Sequence, residues 1–300
     1  MTSQLSVGIT GASGLIGTAL STHLRSLGHV VVPIVRRTPT EGEIEWQPTE
    51  GRLDAAALRP LDAVVHLAGA GIGDRRWTDA YKRTLMESRT TPTSLLARRL
   101  AEADGPRRLI SGSGIGYYGD RPDGPIDETA DGGEGFLVDI LRAWEGATGP
   151  AEQAGISVAH IRTGIVLTPT GGALKRMLPL FKLGLGGRFG DGRQWMSWIS
   201  LTDEVGAITH LLTSDVTGAV NLSAPQPVRN GEFAETLGDV LGRPSFLPVP
   251  KFGPRLVVGR ELVDAVVFDG QCAIPQVLLD DGYDFVHPTL DMALRAELGR

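Results

Sequence analysis

Cysteine is almost absent: Cys272 stands alone among 300 residues, so no internal disulfide can form and a disulfide-stapled scaffold is excluded. The six histidines, His23, His29, His66, His160, His210 and His287, fall in no cluster with metal-ligand spacing, so no metal site is expected. Positive charge is in deficit, with 29 Lys and Arg against 35 Asp and Glu and a net charge of −6, which argues against nucleic acid or an anionic membrane as a main partner. No apolar run approaches the roughly 18 residues of a membrane-crossing helix. The N-terminus enters a strand-like run without a basic leader or a cleavable apolar segment, so the expected location is cytoplasmic. What is left has the size and composition of one large globular domain or two unequal ones.

Glycine, by contrast, is placed with regularity near the start. The run Leu5-Ser6-Val7-Gly8-Ile9-Thr10 breaks into Gly11, Gly14 and Gly17, three apart, and resumes as an apolar helical pattern. A strand, a tight turn and a helix N-terminus in that order bring backbone N–H groups to an anion with no Cβ in the way. Gly11, Ser13, Gly14, Leu15, Ile16 and Gly17 are the expected cradle of a dinucleotide pyrophosphate. Valine at Gly11 is expected to block that approach and leave the fold mostly intact, if the local torsion angles tolerate it.

An NAD site of this kind needs an acidic residue about 20 positions past the turn, on the adenosine ribose. None is there. The second apolar run, Val30 to Val35, ends in Arg36-Arg37, and no acidic residue precedes Glu41. Two guanidiniums suit a 2′-phosphate, so the expected cofactor is NADP(H).

Farther on, strand-like runs alternate with helical patterns: Asp62 to Gly69, a helix from about Trp77 to Ala103, Arg107 to Ser111, a helix from about Gly135 to Ala154, and Ser157 to Arg162. This order predicts an α/β fold, a Rossmann-type doubly wound parallel sheet with right-handed crossovers. The dinucleotide-binding domain is expected over 1–165, with 200–225 returning to it. Glycines crowd together beyond 165, so 166–199 and 226–300 are expected to form a smaller, irregular substrate region.

These residues resemble a known family. Thr10 to Gly17, His66-Leu67-Ala68-Gly69 and Ser111-Gly112-Ser113-Gly114-Ile115-Gly116-Tyr117-Tyr118-Gly119 look like extended short-chain dehydrogenase/reductases of the sugar-nucleotide epimerase branch. Arg76-Trp77 with Ser88-Arg89, Gly184 to Gly187 through Gln194 to Ile199, and Gly282 to Phe285 with Pro288 to Leu290 resemble an atypical, epimerase-family (cell-division-inhibitor-like) subgroup. The resemblance covers almost the whole chain, including a family-specific segment from about Pro250. It implies an NADP(H)-binding oxidoreductase, with Leu67, Ala68, Gly69, Thr84 and Arg89 near the cofactor. Lys82 is expected to face water.

One departure is decisive. The parent family places a Tyr-x-x-x-Lys pair on a helix, where the ammonium lowers the tyrosine pKa. No tyrosine here has lysine four positions on, and alignment through Glu145 puts Leu137 and Leu141 at the two catalytic positions. Ser113 matches the family's substrate-binding hydroxyl. Tyr117 or Tyr118 could reach the same oxygen, with Tyr117 the preferred proton donor and Tyr118 a substrate contact. Trp195, Ser197 and Trp198 are expected to form an aromatic substrate wall and Arg193 to meet an anionic group. Related enzymes carry His where this chain has Ser200, so any role of that imidazole is expected to be missing, while Asp203 is expected to help start the late helix.

Two readings follow. The first is an NADP(H)-dependent oxidoreductase or epimerase acting on a small polar metabolite, with a sugar nucleotide as a candidate. The second is a catalytically silent NADP(H)-binding sensor or regulator.

Overall fold

Strands that read as continuous apolar runs suit a sheet covered on both faces. The computed structural model, which describes residues 4–249 and 259–300, has such a sheet. Its strands are β1 (Ser6–Thr10), β2 (Val30–Val35), β3 (Ile44–Gln47), β4 (Arg52–Leu53), β5 (Ala63–His66), β6 (Arg108–Gly114), β7 (Ser157–Thr163) and, later in the chain, Gly218–Leu222. The order across the sheet is Gly218–Leu222, β7, β6, β5, β1, β2, β3, β4. Every pairing is parallel except β3 with β4. The chain leaves β1 toward β2 and returns on the other side through β5, so the crevice at the C-terminal ends of β1 and β5 is the ligand position for such a topology.

Successive strand residues face opposite layers. Val7, Ile9, Val65, Ile110 and Ile161 pack on helix α1 (Leu15–Ser26) and on helix Leu201–Leu211. Val64, Leu109 and Val158 pack on helix α2 (Asp79–Ala103). The predicted helix 135–154 is two pieces, α3 (Phe136–Gly146) and α4 (Gly149–Gln153). Pro150 explains the break, since it has no N–H for a continuous helix and fits the first turn of a new one.

The glycine-rich region builds a satellite core. Strands Ile165–Leu167 and Trp198–Ser200 pair in parallel, Trp195–Met196 and Val228–Arg229 antiparallel. Trp198 and Phe233 are buried there with Leu174, Leu178 and Leu294.

The expected boundary of the substrate region needs correction. Leu278, with Val277, Tyr283 and Phe285 packed beside it, joins the main core on the α1 side. Asp203 holds this return: its carboxylate accepts the backbone N–H of Val286 at 2.8 Å and of His287 at 3.0 Å. His210 meets Asp281 at 2.8 Å. Asp203 therefore does more than start a helix whose cap is Ser200. His287 Nδ1 lies 3.0 Å from Ser200 Oγ, so an imidazole is supplied to that position from the far end of the chain. The start of the family-specific segment, near Pro250, lies outside the described residues.

Candidate functional site

The glycine turn is built by close approach. Gly11 has φ +68°, and a Cβ on it would lie 2.9 Å from the Leu67 carbonyl carbon. A Cβ on Gly17 would collide with the Gly11 carbonyl oxygen, so helix α1 can seat on the turn only with glycine there. Valine at Gly11 therefore strains the backbone and meets the segment leaving β5, which corrects the expectation of an intact fold. The α1 N-cap is Gly14, with no side-chain cap, and the first turn carries no acidic residue. Its N–H groups and positive dipole end are open to an anion. Ser13, Leu15 and Ile16 fall in this same turn.

At the end of β2 the two arginines differ. Both are exposed, but Arg37 forms a two-point ion pair with Glu43. That pairing, with the Thr40 N–H, holds the Glu43 carboxyl down at about 2. Among the described residues Arg36 makes no ion pair. Of the two arginines expected to meet a 2′-phosphate, one guanidinium is thus engaged by Glu43 and the other is not.

Beyond β5, Leu67, Ala68 and Gly69 run beside the turn, with the Leu67 N–H directed to Thr10. His66 is fully buried between Thr10 Oγ1 (2.7 Å) and Thr93 Oγ1 (2.8 Å), and burial pushes its pKa down to about 3. Arg89 is also buried. Its Nη2 donates to the Ala70 carbonyl at 2.9 Å, its guanidinium lies over the Trp144 ring, and its Nε has no partner among the described residues. Burial lowers its pKa to about 10. A buried, incompletely satisfied guanidinium beside Gly69 fits an anionic ligand at this strand end. Thr84, in contrast, is exposed and its hydroxyl donates back to the Ala80 carbonyl. Lys82 does not simply face water: it pairs with Glu261 at 2.6 Å and lies over Phe136.

At the end of β6, Ser113 Oγ donates to Glu145 Oε1 at 2.7 Å. Arg162 grips both oxygens of Glu145 at 2.9 Å and donates a third bond to the Tyr118 hydroxyl. Tyr118 is completely buried, its hydroxyl donating to Asn221 at 2.8 Å, which removes it from the expected substrate contacts. Burial raises its pKa. Tyr117 is half-buried, with the Arg162 guanidinium 3.6 Å from its ring centroid. Ser113 and Tyr117 thus touch the same ion pair. Leu137 and Leu141 press on Gly116, where a Cβ would come 2.7 Å from Leu137 Cδ2. The helix face that would carry tyrosine and lysine is apolar. Arg162 escaped sequence reasoning, and the available signal was a charged residue inside the apolar run Ser157 to Thr163.

Two cavities adjoin this end of the sheet. One, about 410 Å³, is lined by Gly116, Phe136, Leu137, Trp77, Asp269 and Gln271, among others. The other, about 630 Å³, has Trp195, Arg193, Arg229, Asp120 and Phe268 in its wall. Hydrogen bonds between Arg121 and Gly270, and between Gly270 and Asp120, join the two loops that contribute to both linings. Arg229 lies 3.7 Å from the Trp195 ring centroid. Trp195 and Arg193 line the second cavity. Ser197 and Trp198 do not: Ser197 is buried on the Gln271 carbonyl at 2.6 Å, and Trp198 is a core ring bonded to the Gln226 carbonyl. The short strands on either side of Ser197 turn Trp195 outward and Trp198 inward. Among the described residues no cluster of His, Cys, Asp and Glu could hold a metal, and no helix is long and apolar enough to cross a membrane.

The family model described as the NAD dependent epimerase/dehydratase family matches residues 7–223, and a domain of unknown function, DUF1731, matches 249–297. An epimerase family protein of Mycobacterium bovis is 46% identical over 290 residues, 96% of each chain. Human epimerase family protein SDR39U1 is 37% identical over 294 residues, 96% of this chain and 97% of the human one. The crystal structure of that human protein with NADPH has a TM-score of 0.90 at 35% identity, covering 98% of this chain and 99% of that one. A nucleoside-diphosphate sugar epimerase from Corynebacterium glutamicum has a TM-score of 0.81 at 35% identity, covering 99% of this chain and 59% of that one.

Proposed function

The chain belongs to the NAD dependent epimerase/dehydratase family, and from that premise we propose that it is an NADP(H)-binding oxidoreductase or epimerase acting on a small polar metabolite, with a sugar nucleotide as one candidate. The observation that carries the reading is the glycine turn: Gly11 at φ +68° against the end of β5, and an uncapped, acid-free α1 N-terminus at the crevice of a doubly wound sheet. In this reading Gly11, Ser13, Gly14, Leu15, Ile16 and Gly17 hold the pyrophosphate, Arg36 meets the 2′-phosphate, and Arg89 lies against the segment that follows β5. The human relative crystallised with NADPH supports the choice of cofactor. Bound nicotinamide supplies hydride exchange at its C4. Ser113 and Tyr117, on one ion pair beside the Leu137 cavity, are the chain's own groups for a reacting oxygen.

The second reading, a silent NADP(H)-binding sensor, draws its support from Leu137 and Leu141 standing where the acid-base pair is needed. A cavity of about 410 Å³ against that apolar face favours the enzyme, since a sensor needs no second substrate space. The test is a screen of carbonyl metabolites and sugar nucleotides for NADPH oxidation, repeated with Ser113→Ala and Tyr117→Phe. Turnover lost in Ser113→Ala supports the enzyme. NADPH binding with no turnover on any candidate supports the sensor.

A further inference from the structure

Leu137 lines the cavity of about 410 Å³ and offers no proton, so a proton for a reacting oxygen has to come from another lining group. Trp77 and Gln271 are committed, the indole N–H to the Ile72 carbonyl at 3.0 Å and the Gln271 amide to the Gly119 carbonyl. Glu261 is held by Lys82 at 2.6 Å, and Asp264 meets Arg260 at 3.5 Å. Glu134 is exposed, and Tyr117 is outside the lining. Asp269 differs from all of these. It is half-buried in the cavity wall, and among the described residues nothing donates a hydrogen bond to its carboxylate.

The backbone that carries Asp269 is fixed on both sides. Its N–H closes a wide helical turn on the Asp264 carbonyl at 2.7 Å. The next residue, Gly270, donates to Asp120 Oδ1 at 3.1 Å and accepts the Arg121 N–H at 2.8 Å. A Cβ on Gly270 would lie 2.5 Å from the Trp195 nitrogen, so the segment is seated against that strand. The charges acting on the Asp269 carboxyl are those of Asp120 and Asp264, both of its own sign, while Glu134, Glu261 and Arg260 complete the charged lining. Burial, with the two neighbouring aspartates, raises its pKa from 3.8 to about 6. A carboxyl group that changes protonation near neutral pH, faces a cavity and has no internal partner is suited to moving a proton.

We propose that Asp269 is the catalytic acid-base group of this cavity, filling the role that the apolar face of α3 leaves vacant: in its protonated form it donates to a carbonyl oxygen of the substrate and gives up that proton as the carbonyl is reduced. This rests on the reading of the chain as an NADP(H)-dependent enzyme and adds the residue that moves the proton. The carbonyl carbon gains the hydride that bound NADPH supplies, the C=O π bond opens, and the oxygen takes the Asp269 proton. The carbonyl is thereby reduced to an alcohol and the cofactor oxidised to NADP⁺, and the Asp269 carboxylate is reprotonated from solvent. In the reverse direction the carboxylate takes the proton of the alcohol.

The test separates donating a hydrogen bond from giving up a proton. The full chain, saturated with NADP⁺ so that no hydride is available, is titrated with cyclohexanone by ligand-observed NMR at pH 5 and pH 8. The unmodified protein should bind this ketone about tenfold more weakly at pH 8, where the carboxylate has no proton to donate, the factor that one lost hydrogen bond of about 1.4 kcal/mol produces. Asp269→Asn keeps an N–H donor and cannot ionise, so it should bind cyclohexanone equally at both pH values. The same variant should bind NADPH as the unmodified protein does, by calorimetry. Its conversion of compounds in a small-molecule extract, supplied with NADPH or NADP⁺, should fall at least a hundredfold, because an amide does not release its proton. Cyclohexanone binding that is absent or independent of pH in the unmodified protein, a pH dependence that survives Asp269→Asn, or undiminished conversion by that variant would each overturn the inference and leave the enzyme reading standing. NADPH binding with no conversion by the unmodified protein overturns both.

Discussion

Arg37 and Glu43 meet in a two-point ion pair, Nη1 to Oε2 at 2.7 Å and Nη2 to Oε1 at 2.6 Å, at the end of β2. The carboxylate that is absent from β2 itself thus arrives from the following loop, and Arg37 occupies it. Among the described residues Arg36 makes no ion pair. Arg36→Ala should weaken NADPH binding by about 1.5–3 kcal/mol, roughly ten- to a hundredfold, and leave NADH binding unchanged. Arg37→Ala should cost less. Calorimetric titration of both variants with both cofactors checks this, and a larger loss in Arg37→Ala would reverse the assignment.

Gly17 is expected to be a folding position as much as a binding one. A Cβ there collides with the Gly11 carbonyl, and backbone cannot move aside as a side chain can. Gly17→Ala should lower the unfolding free energy by more than about 1 kcal/mol, beyond the usual gain of alanine over glycine in a helix. Chemical denaturation measures it. An unchanged or higher midpoint would mean that α1 does not seat on the turn as described.

The adjacent tyrosines should separate cleanly. Tyr118→Phe removes a buried hydroxyl held between Asn221 and Arg162 and should cost about 1–3 kcal/mol of stability. Tyr117→Phe, at a half-buried ring, should cost less than about 0.5 kcal/mol. Urea unfolding of the two variants distinguishes them, and equal losses would contradict the division into a core ring and a site ring.

Two buried groups set opposite pH slopes. Burial lifts the Glu204 carboxyl from 4.5 to about 8, with Thr163 the one side chain among the described residues donating to it. The stability of its neutral form is fully present below pH 4.5 and is lost as pH rises toward 8. His66, held at about 3 instead of 6.5, contributes stability above pH 6.5 that is lost as pH falls toward 3. Glu204→Gln should flatten the fall in unfolding free energy between about pH 5 and 8 by a few kcal/mol. Denaturant midpoints across that range read the difference, and an unaltered slope would mean that Glu204 is hydrated.

How much of this was legible in the sequence follows from how local each signal is. The glycine turn, the parallel sheet and the loss of the Tyr-x-x-x-Lys pair rest on spacing within a few residues, and spacing is what a sequence displays. The role of Tyr118 was not legible, because its partner Asn221 is 103 positions away. Neither was the return of Leu278 to the main core, nor the docking of His287 on Ser200 across 87 positions. Trp195 and Trp198 look alike in sequence, and only strand pairing separates the cavity wall from the core ring. Arg36 and Arg37 differ through Glu43, whose reach depends on the loop before β3.

The most direct measurement of the central claim works without the substrate being identified in advance. NADPH carrying deuterium on nicotinamide C4 and, in parallel, unlabelled NADP⁺ are each incubated with the protein and a small-molecule extract, and the extract is searched by mass spectrometry, with chromatographic separation of isomers, for a compound that has gained the label, been oxidised or been isomerised. The account predicts such a change in a single polar metabolite with the unmodified protein and none with Ser113→Ala. Tight cofactor binding with no compound labelled, oxidised or isomerised would contradict the enzyme and leave an NADP(H)-binding sensor.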